Sequence, residues 1–172
     1  LMLKDGATIL DVGGYSSRPG AKDISTQEEI DRIQPAIEAI SNEFPEAILS
    51  IDTFRSEVAE VAIQSGAHII NDISGFEIDP KIADVAGKYR VPYILMHMVG
   101  TPQTMQKNVD YDNLFMDITK YFSEKIKILE SKGVHDIILD PGFGFSKTID
   151  QNYELLECLE NFRILERPIL AG

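Results

Sequence analysis

The chain has 172 residues, 16 of them Lys or Arg and 28 Asp or Glu, giving a net charge of −12 with 44% hydrophobic residues. That length fits one domain with enough apolar content for a core. The charge excludes a protein whose affinity comes from neutralising nucleic-acid phosphates or an anionic membrane surface. The lone cysteine, Cys158, can form neither an intrachain disulfide nor a multi-Cys metal site, so a packed thiol in a reducing cytosol is the simplest reading. No apolar stretch reaches the ~20 residues that span a bilayer, and the first residues do not read as a signal peptide. A cytoplasmic location is expected.

The recurring unit is a short apolar run, a polar loop and an amphipathic stretch, the pattern of a buried parallel strand followed by a helix. A strand over 7–12 comes first, then a glycine-rich loop and a helix over 26–43, started by Ser25 or Thr26 with Glu28 and Glu29 in its first turn. Strand 47–52 leads to helix 55–65, strand 68–71 to helix 80–89, strand 92–97 to helix 111–131 and strand 136–140 to helix 150–159. A last strand is expected over 168–171. Gly6, Gly66 and Gly133 each precede a strand, where a left-handed residue commonly closes the preceding element.

Six strands alternating with five helices exclude all-α and all-β folds and leave a doubly wound sheet or a (β/α)8 barrel. The loop Gly13-Gly14-Tyr15-Ser16-Ser17 lacks the G-x-G-x-x-G spacing of a dinucleotide site. The expected fold class is therefore α/β, a (β/α)8 TIM barrel. A whole barrel takes ~250 residues, so residues 1–172 read as a single domain with about six of the eight strands, cut at both ends.

Nearly every strand ends in a residue able to hydrogen-bond or titrate: Asp11, Asp52, Asn71 with Asp72, His97 and Asp140. In a parallel barrel these ends open onto one face, where such enzymes place their sites. Any one of them can be a loop or helix cap, as Asp and Asn often are, and Asp11 and Asp72 suit that role well. The whole set at one edge of successive strands favours a shared pocket. Carboxylates beside an amide, without His/Cys/Glu metal spacing, suit a small ring carrying amino and imino donors. A carboxylate takes two parallel hydrogen bonds from a guanidine-like edge and stabilises positive charge developing in a transition state. His97, between Met96 and Met98, reads equally as a general base at the barrel mouth or as a structural histidine. His68 and His135 fall at strand starts, on the opposite face.

Two loops add to this. Ser16-Ser17-Arg18-Pro19-Gly20-Ala21 carries an arginine whose planar fork suits a carboxylate or phosphate, though a solvated loop arginine is a common alternative. Pro141-Gly142-Phe143-Gly144-Phe145-Ser146-Lys147-Thr148 looks superficially like a phosphate loop, but G-x-x-x-x-G-K-S/T needs glycine directly before the lysine and Ser146 stands there. Its glycines read as close-approach points for a flat ring and Phe145 as a stacking face.

The segment from Asp11 to Ala21 resembles the D-I/V-G-G-E-S-S/T-R-P-G-A signature of dihydropteroate synthases. Further collinear matches are Ser50-Ile51-Asp52-Thr53, Ile70-Asn71-Asp72-Ile73-Ser74-Gly75, the run from Leu95 to Gln106 and the run from Ile138 to Thr148. The resemblance implies condensation of 6-hydroxymethyl-7,8-dihydropterin pyrophosphate with p-aminobenzoate, releasing pyrophosphate and giving 7,8-dihydropteroate for folate synthesis, on a commonly dimeric barrel assisted by Mg²⁺. It implies that Asp52, Asn71 and Asp140 hold the pterin edge, with Ile73, Ile94, Met96, Gly144 and Phe145 lining the pocket and Gly172 close to it. Asp52 would be the catalytic carboxylate, stabilising a cationic pterin methylene. Ser17, Arg18 and Pro19 would belong to the p-aminobenzoate loop, the site of sulfonamide competition.

Departures from the family pattern are Tyr15 in place of Glu and Ser17 at a position often Thr. The family's first strand with its Asn, and the Ser-Arg-Lys segment of the anion site, have no counterpart in these residues. The 172 residues alone are accordingly expected to be inactive. Two other readings are a methyltetrahydrofolate corrinoid methyltransferase-type barrel and a silent pterin-binding homologue. The Ser-Ser-Arg-Pro-Gly-Ala loop and the Met-His-Met-x-Gly-Thr-Pro segment favour the synthase.

Overall fold

The computed structural model describes residues 1–18, 20–105 and 109–172. Strands and helices alternate among them: β1 Ile9–Gly13, α1 Thr26–Glu43, β2 Ile48–Asp52, α2 Ser56–Gln64, β3 Ile69–Asp72, α3 Lys81–Tyr89, β4 Tyr93–Met96, α4 Leu114–Ser131, β5 Ile137–Asp140 and α5 Ile149–Glu157. The strands form one parallel sheet in the order β1-β2-β3-β4-β5, so α1 to α4 are each a crossover between neighbours. That is the architecture of a partial (β/α)8 barrel.

Two expectations change. The sixth strand over 168–171 is reduced to a single bridge between Leu139 and Ile169, made by Leu139 N–H to the Pro168 carbonyl at 2.9 Å and Leu170 N–H to the Leu139 carbonyl at 2.8 Å. Pro168 has no N–H to extend the ladder, so the sheet has five strands rather than six. After α5 the chain tightens into a 3₁₀ helix, Leu159–Leu165, that periodicity did not signal. It ends at Glu166 with a left-handed φ of 54°.

The helix starts are chemically specified. Ser25 accepts from Glu28 N at the head of α1, Asn113 from Met116 N at α4, and Thr148 forms a reciprocal capping box with Gln151 at α5. At α2 the donor comes from within the helix and the acceptor from elsewhere: Ser56 N–H donates to Asp79 Oδ2 at 2.8 Å. Gly66 and Gly133 do take left-handed φ values, 117° and 84°.

The core lies between the sheet and its helices. Period-two alternation turns Leu49, Ile51, Ile70, Tyr93, Leu95, Ile137 and Leu139 toward Ile33, Ile37, Val58, Ile82, Ile118, Phe122 and Leu129. Fully burying each such aliphatic contributes about 1.5–3 kcal/mol. The residues between them, Ser50, Asp52, Asn71, Ile94, Met96, Ile138 and Asp140, occupy the inner face. No helix among the described residues is long and apolar enough to cross a membrane.

Candidate active site

Strand register places the polar inner residues in rows. Gly13 lies beside Asp52, Asp52 beside Asn71, Asn71 beside Ile94 and Ile94 beside Ile138. One step toward the strand C-termini, Met96 lies beside Asp140. Asp52, Asn71 and Asp140 therefore share the mouth of the sheet. Ile94 and Met96 sit on the same face, both buried.

Their hydrogen bonding is unequal. Asp11 accepts from the Ser50 hydroxyl and, at 3.0 Å, from Asn71 Nδ2, which fixes the Asn71 amide and leaves its carbonyl oxygen to accept from a ligand. Among the described residues Asp140 accepts only from Gly142 N at 2.8 Å, through one oxygen. The Asp52 carboxylate takes no hydrogen bond from any described residue. Burial, then the neighbouring charges of Asp11, Glu29 and Asp72, push its pKa up to about 7. Burial also raises Asp140, against the Gly142 N–H and the Lys147 charge. A side chain at Gly13 would crowd this spot, because a Cβ there stands 3.3 Å from Asp52 Cβ and Oδ2.

Beside the carboxylates lies an apolar wall. Phe54, Ile73, Met96, Met98 and Met105 form a small buried cluster against which Tyr15 and Phe145 pack. Ile73, Met96 and Phe145 thus lie together. Gly144, exposed, precedes Phe145 in a loop with left-handed glycines at 142 and 144. Gly142 has φ of 70°, and a Cβ on it would lie 2.2 Å from the His97 carbonyl oxygen, so only glycine lets the two strand ends approach.

Gly172 is placed differently. With Phe143, Tyr153 and Leu156 it lines a recess of about 400 Å³ against α5 that none of the mouth carboxylates lines. In the β1–α1 loop, Ser17 is half-buried, and Arg18 is exposed with no ion-pair or hydrogen-bond partner for its guanidinium among the described residues. Pro19 lies outside the described residues.

Two polar strand ends have structural jobs. Asp72 faces away from the mouth and is wholly buried. Its oxygens accept from Ser74 N and Oγ, each at 2.8 Å, from Phe76 N at 2.6 Å and from the Tyr93 hydroxyl. His97 is also buried, with Tyr121 4.9 Å and Tyr111 6.0 Å from its ring. Burial and then the Lys147 charge lower its pKa to about 3. It is too weak a base for proton abstraction near neutrality, which favours the structural alternative.

The structure adds residues that sequence reasoning did not place at the site. Glu29, expected only as a first-turn acid of α1, is completely buried and accepts from Thr53 Oγ1 at 2.7 Å and Arg55 Nη1 at 2.8 Å. Arg55 also donates to the Ile24 carbonyl at 2.8 Å and lies 5.2 Å from the Tyr15 ring centre and 5.4 Å from that of Phe54. Tyr15 meets Phe54 edge-to-face at 5.0 Å, and its hydroxyl accepts from Gln103 Nε2 at 2.8 Å. The only advance signal was Tyr15 itself, an aromatic where the signature has an acid.

The described residues thus form part of a parallel (β/α)8 barrel with carboxylates and an amide at its mouth, beside aromatic and thioether side chains. The chain belongs to the pterin binding enzyme family, whose model matches residues 1–172. It is 45% identical to the dihydropteroate synthase of Synechocystis sp. over 99% of this chain and 60% of that relative. Its fold superposes on the Yersinia pestis dihydropteroate synthase in a sulfonamide drug complex with a TM-score of 0.95, at 42% identity over 99% of this chain and 62% of that one. The Clostridium difficile enzyme solved in the presence of pteroic acid gives a TM-score of 0.92 at 37% identity, over 99% and 63% of the two chains. The chain thus spans about three fifths of the length of the relatives it matches.

Proposed function

We propose that this chain forms the pterin-binding part of a dihydropteroate synthase, within a single barrel domain to which residues 1–172 all belong. The observation that carries the reading is the buried Asp52 carboxylate, which takes no hydrogen bond from any described residue, beside Asn71 and at the same end of the sheet as the partly bonded Asp140. A 2-amino-pyrimidinone edge presents parallel N–H donors and a carbonyl, the complement of two carboxylates and an amide. Phe145, Ile73 and Met96 offer the ring an apolar face, with Ile94 beneath and Gly144 letting the loop backbone approach. Gly172 closes the same pocket in this reading once the rest of the barrel is present.

In the reaction the bond from the pterin methylene carbon to the pyrophosphate oxygen breaks, a bond from that carbon to the p-aminobenzoate nitrogen forms, and the amine proton passes to solvent. Positive charge grows on the methylene as pyrophosphate departs. Asp52 is the catalytic residue that stabilises it, because an ionised carboxylate in a dry site is worth far more than one in water. Ser17, Arg18 and Pro19 shape the p-aminobenzoate site, with the unpaired Arg18 fork available to the benzoate carboxylate.

The resemblance also implies Mg²⁺ with the pyrophosphate. The described residues contain no group of three His, Cys, Asp or Glu placed to hold a metal, so they do not fit that ion and no step is routed through it. The substrates are small molecules, the full-length enzyme is a homodimer, and its compartment is the cytoplasm. Neither nucleic acid nor membrane is a partner.

The test is formation of dihydropteroate from the pterin pyrophosphate and p-aminobenzoate. A full-length protein carrying this chain turns over, the 172 residues alone do not, and Asp52→Asn in the full-length protein lowers kcat/KM by about 10²-fold or more. Wild-type turnover by Asp52→Asn would refute the catalytic role. Methyl transfer to a corrinoid in place of condensation would refute the synthase reading.

A further inference from the structure

The loop between β5 and α5 is held by two adjacent residues that the proposed chemistry leaves unused. Lys147 is 4% exposed, and its ammonium reaches three acceptors: the Gly142 carbonyl at 3.0 Å, the Phe145 carbonyl at 3.0 Å and His97 Nδ1 at 3.2 Å. An ammonium has three N–H donors and no acceptor, so its capacity is matched in full. Ser146 is completely buried in a left-handed conformation, φ 51°, that non-glycine residues avoid. Its hydroxyl donates to the Val99 carbonyl and accepts from Val99 N–H, both at 2.9 Å. Tyr111 donates to the Ser146 carbonyl at 2.8 Å.

These contacts tie the Gly142–Lys147 turn to the segment just beyond β4, and they bracket Phe145 on both sides. We infer that Lys147 and Ser146 are positioning residues, a two-point clasp that fixes the Phe145 ring where a pterin stacks. The inference rests on the pterin reading above and adds residues that do not touch the ligand. The charged and titratable groups facing Lys147 are Asp140, whose carboxylate favours the ammonium, and the neutral His97, with Tyr111 and Tyr121 packed behind that imidazole. Burial, opposed by Asp140, brings Lys147 down to about 8. A neutral amine keeps two N–H donors for three acceptors, so the clasp loosens by one bond above that pH.

The experiment is a double-mutant cycle in the full-length protein, read by fluorescence titration with 6-hydroxymethylpterin and by steady-state kinetics. Lys147→Met keeps the side-chain length and removes the buried charge but leaves the Gly142 and Phe145 carbonyls without that donor, so its folding is checked first by circular dichroism. It is expected to weaken pterin binding about 10-fold or more while the KM for p-aminobenzoate changes less than about 2-fold. In a Phe145→Ala background the same change should add less than about 2-fold, because the clasp acts through that ring. Ser146→Gly preserves the left-handed turn and removes the hydroxyl, and should weaken pterin binding about 3-fold with the same non-additivity. Pterin binding by Lys147→Met and Ser146→Gly equal to wild type, or full additivity with Phe145→Ala, would overturn the clasp alone. Should Lys147→Met not fold, Ser146→Gly and the wild-type decline in pterin affinity between pH 7 and about 9 decide the matter. A folded wild-type protein that binds no pterin would overturn the functional reading beneath it.

Discussion

The two faces of the sheet treat their charges in opposite ways. On the helix side, Asp72 accepts four hydrogen bonds and Glu29 accepts from both Thr53 and Arg55. At the mouth, Asp52 accepts none from the described residues and Asp140 accepts one. Both Asp72 and Asp52 are pushed upward in pKa by burial, so burial alone does not separate structural from ligand-facing carboxylates. The count of satisfied lone pairs does. A carboxylate whose acceptors are filled from within holds the fold, and one left under-bonded at the open end has lone pairs to spare, as the proposed ring-binding role requires.

This contrast predicts which substitutions cost stability and which cost binding. The largest effect is expected at Glu29→Ala, which removes the buried acceptor shared by Thr53 and Arg55, leaves the guanidinium only the Ile24 carbonyl and the exposed Asp23 carboxylate, and should cost about 3–5 kcal/mol in urea unfolding. Asp72→Ala leaves the Tyr93 hydroxyl and two backbone N–H groups unpaired in the core, for about 2–4 kcal/mol in the same measurement. At the mouth the sign reverses. Because the folded-state pKa of Asp52 lies above its ordinary 3.8, at about 7, the folded chain holds a proton that the unfolded chain releases, and stability falls as pH rises between those values. Asp52→Asn should therefore be more stable than wild type by about 1–3 kcal/mol at pH 8 and no more stable at pH 3. A flat difference across that range would break the contrast. Smallest is Tyr15→Phe, which removes only the hydrogen bond from Gln103. It should raise the KM for p-aminobenzoate about 2–5-fold with stability changed by less than about 1 kcal/mol.

Much of this arrangement is readable in the sequence because it is local. Helix α1 begins and ends where Ser25 and the apolar spacing place it, and the polar residues at strand ends mark the mouth. Adjacent Asn71 and Asp72 could have been divided by the same period-two rule: on one strand they must face opposite sides. What stayed hidden depends on partners far along the chain. Burial of Glu29 is intelligible only once Thr53 and Arg55 arrive from the connection between β2 and α2, and Lys147 looked like part of a failed phosphate loop because its acceptors come from a turn and from His97, fifty positions earlier. The expected sixth strand failed for a plainer reason, since an apolar run signals burial and says nothing about whether its N–H groups find a ladder.

Gly13 gives the site an off switch. Its backbone is not left-handed, so a larger residue is tolerated conformationally, yet any side chain there grows toward the Asp52 carboxylate from 3.3 Å away. Alanine would press on that carboxylate, and valine would crowd it further. An engineer wanting a folded but unoccupied version of this protein, for use as an antigen or a binding control, would leave every charged residue in place and change this one hydrogen atom into carbon.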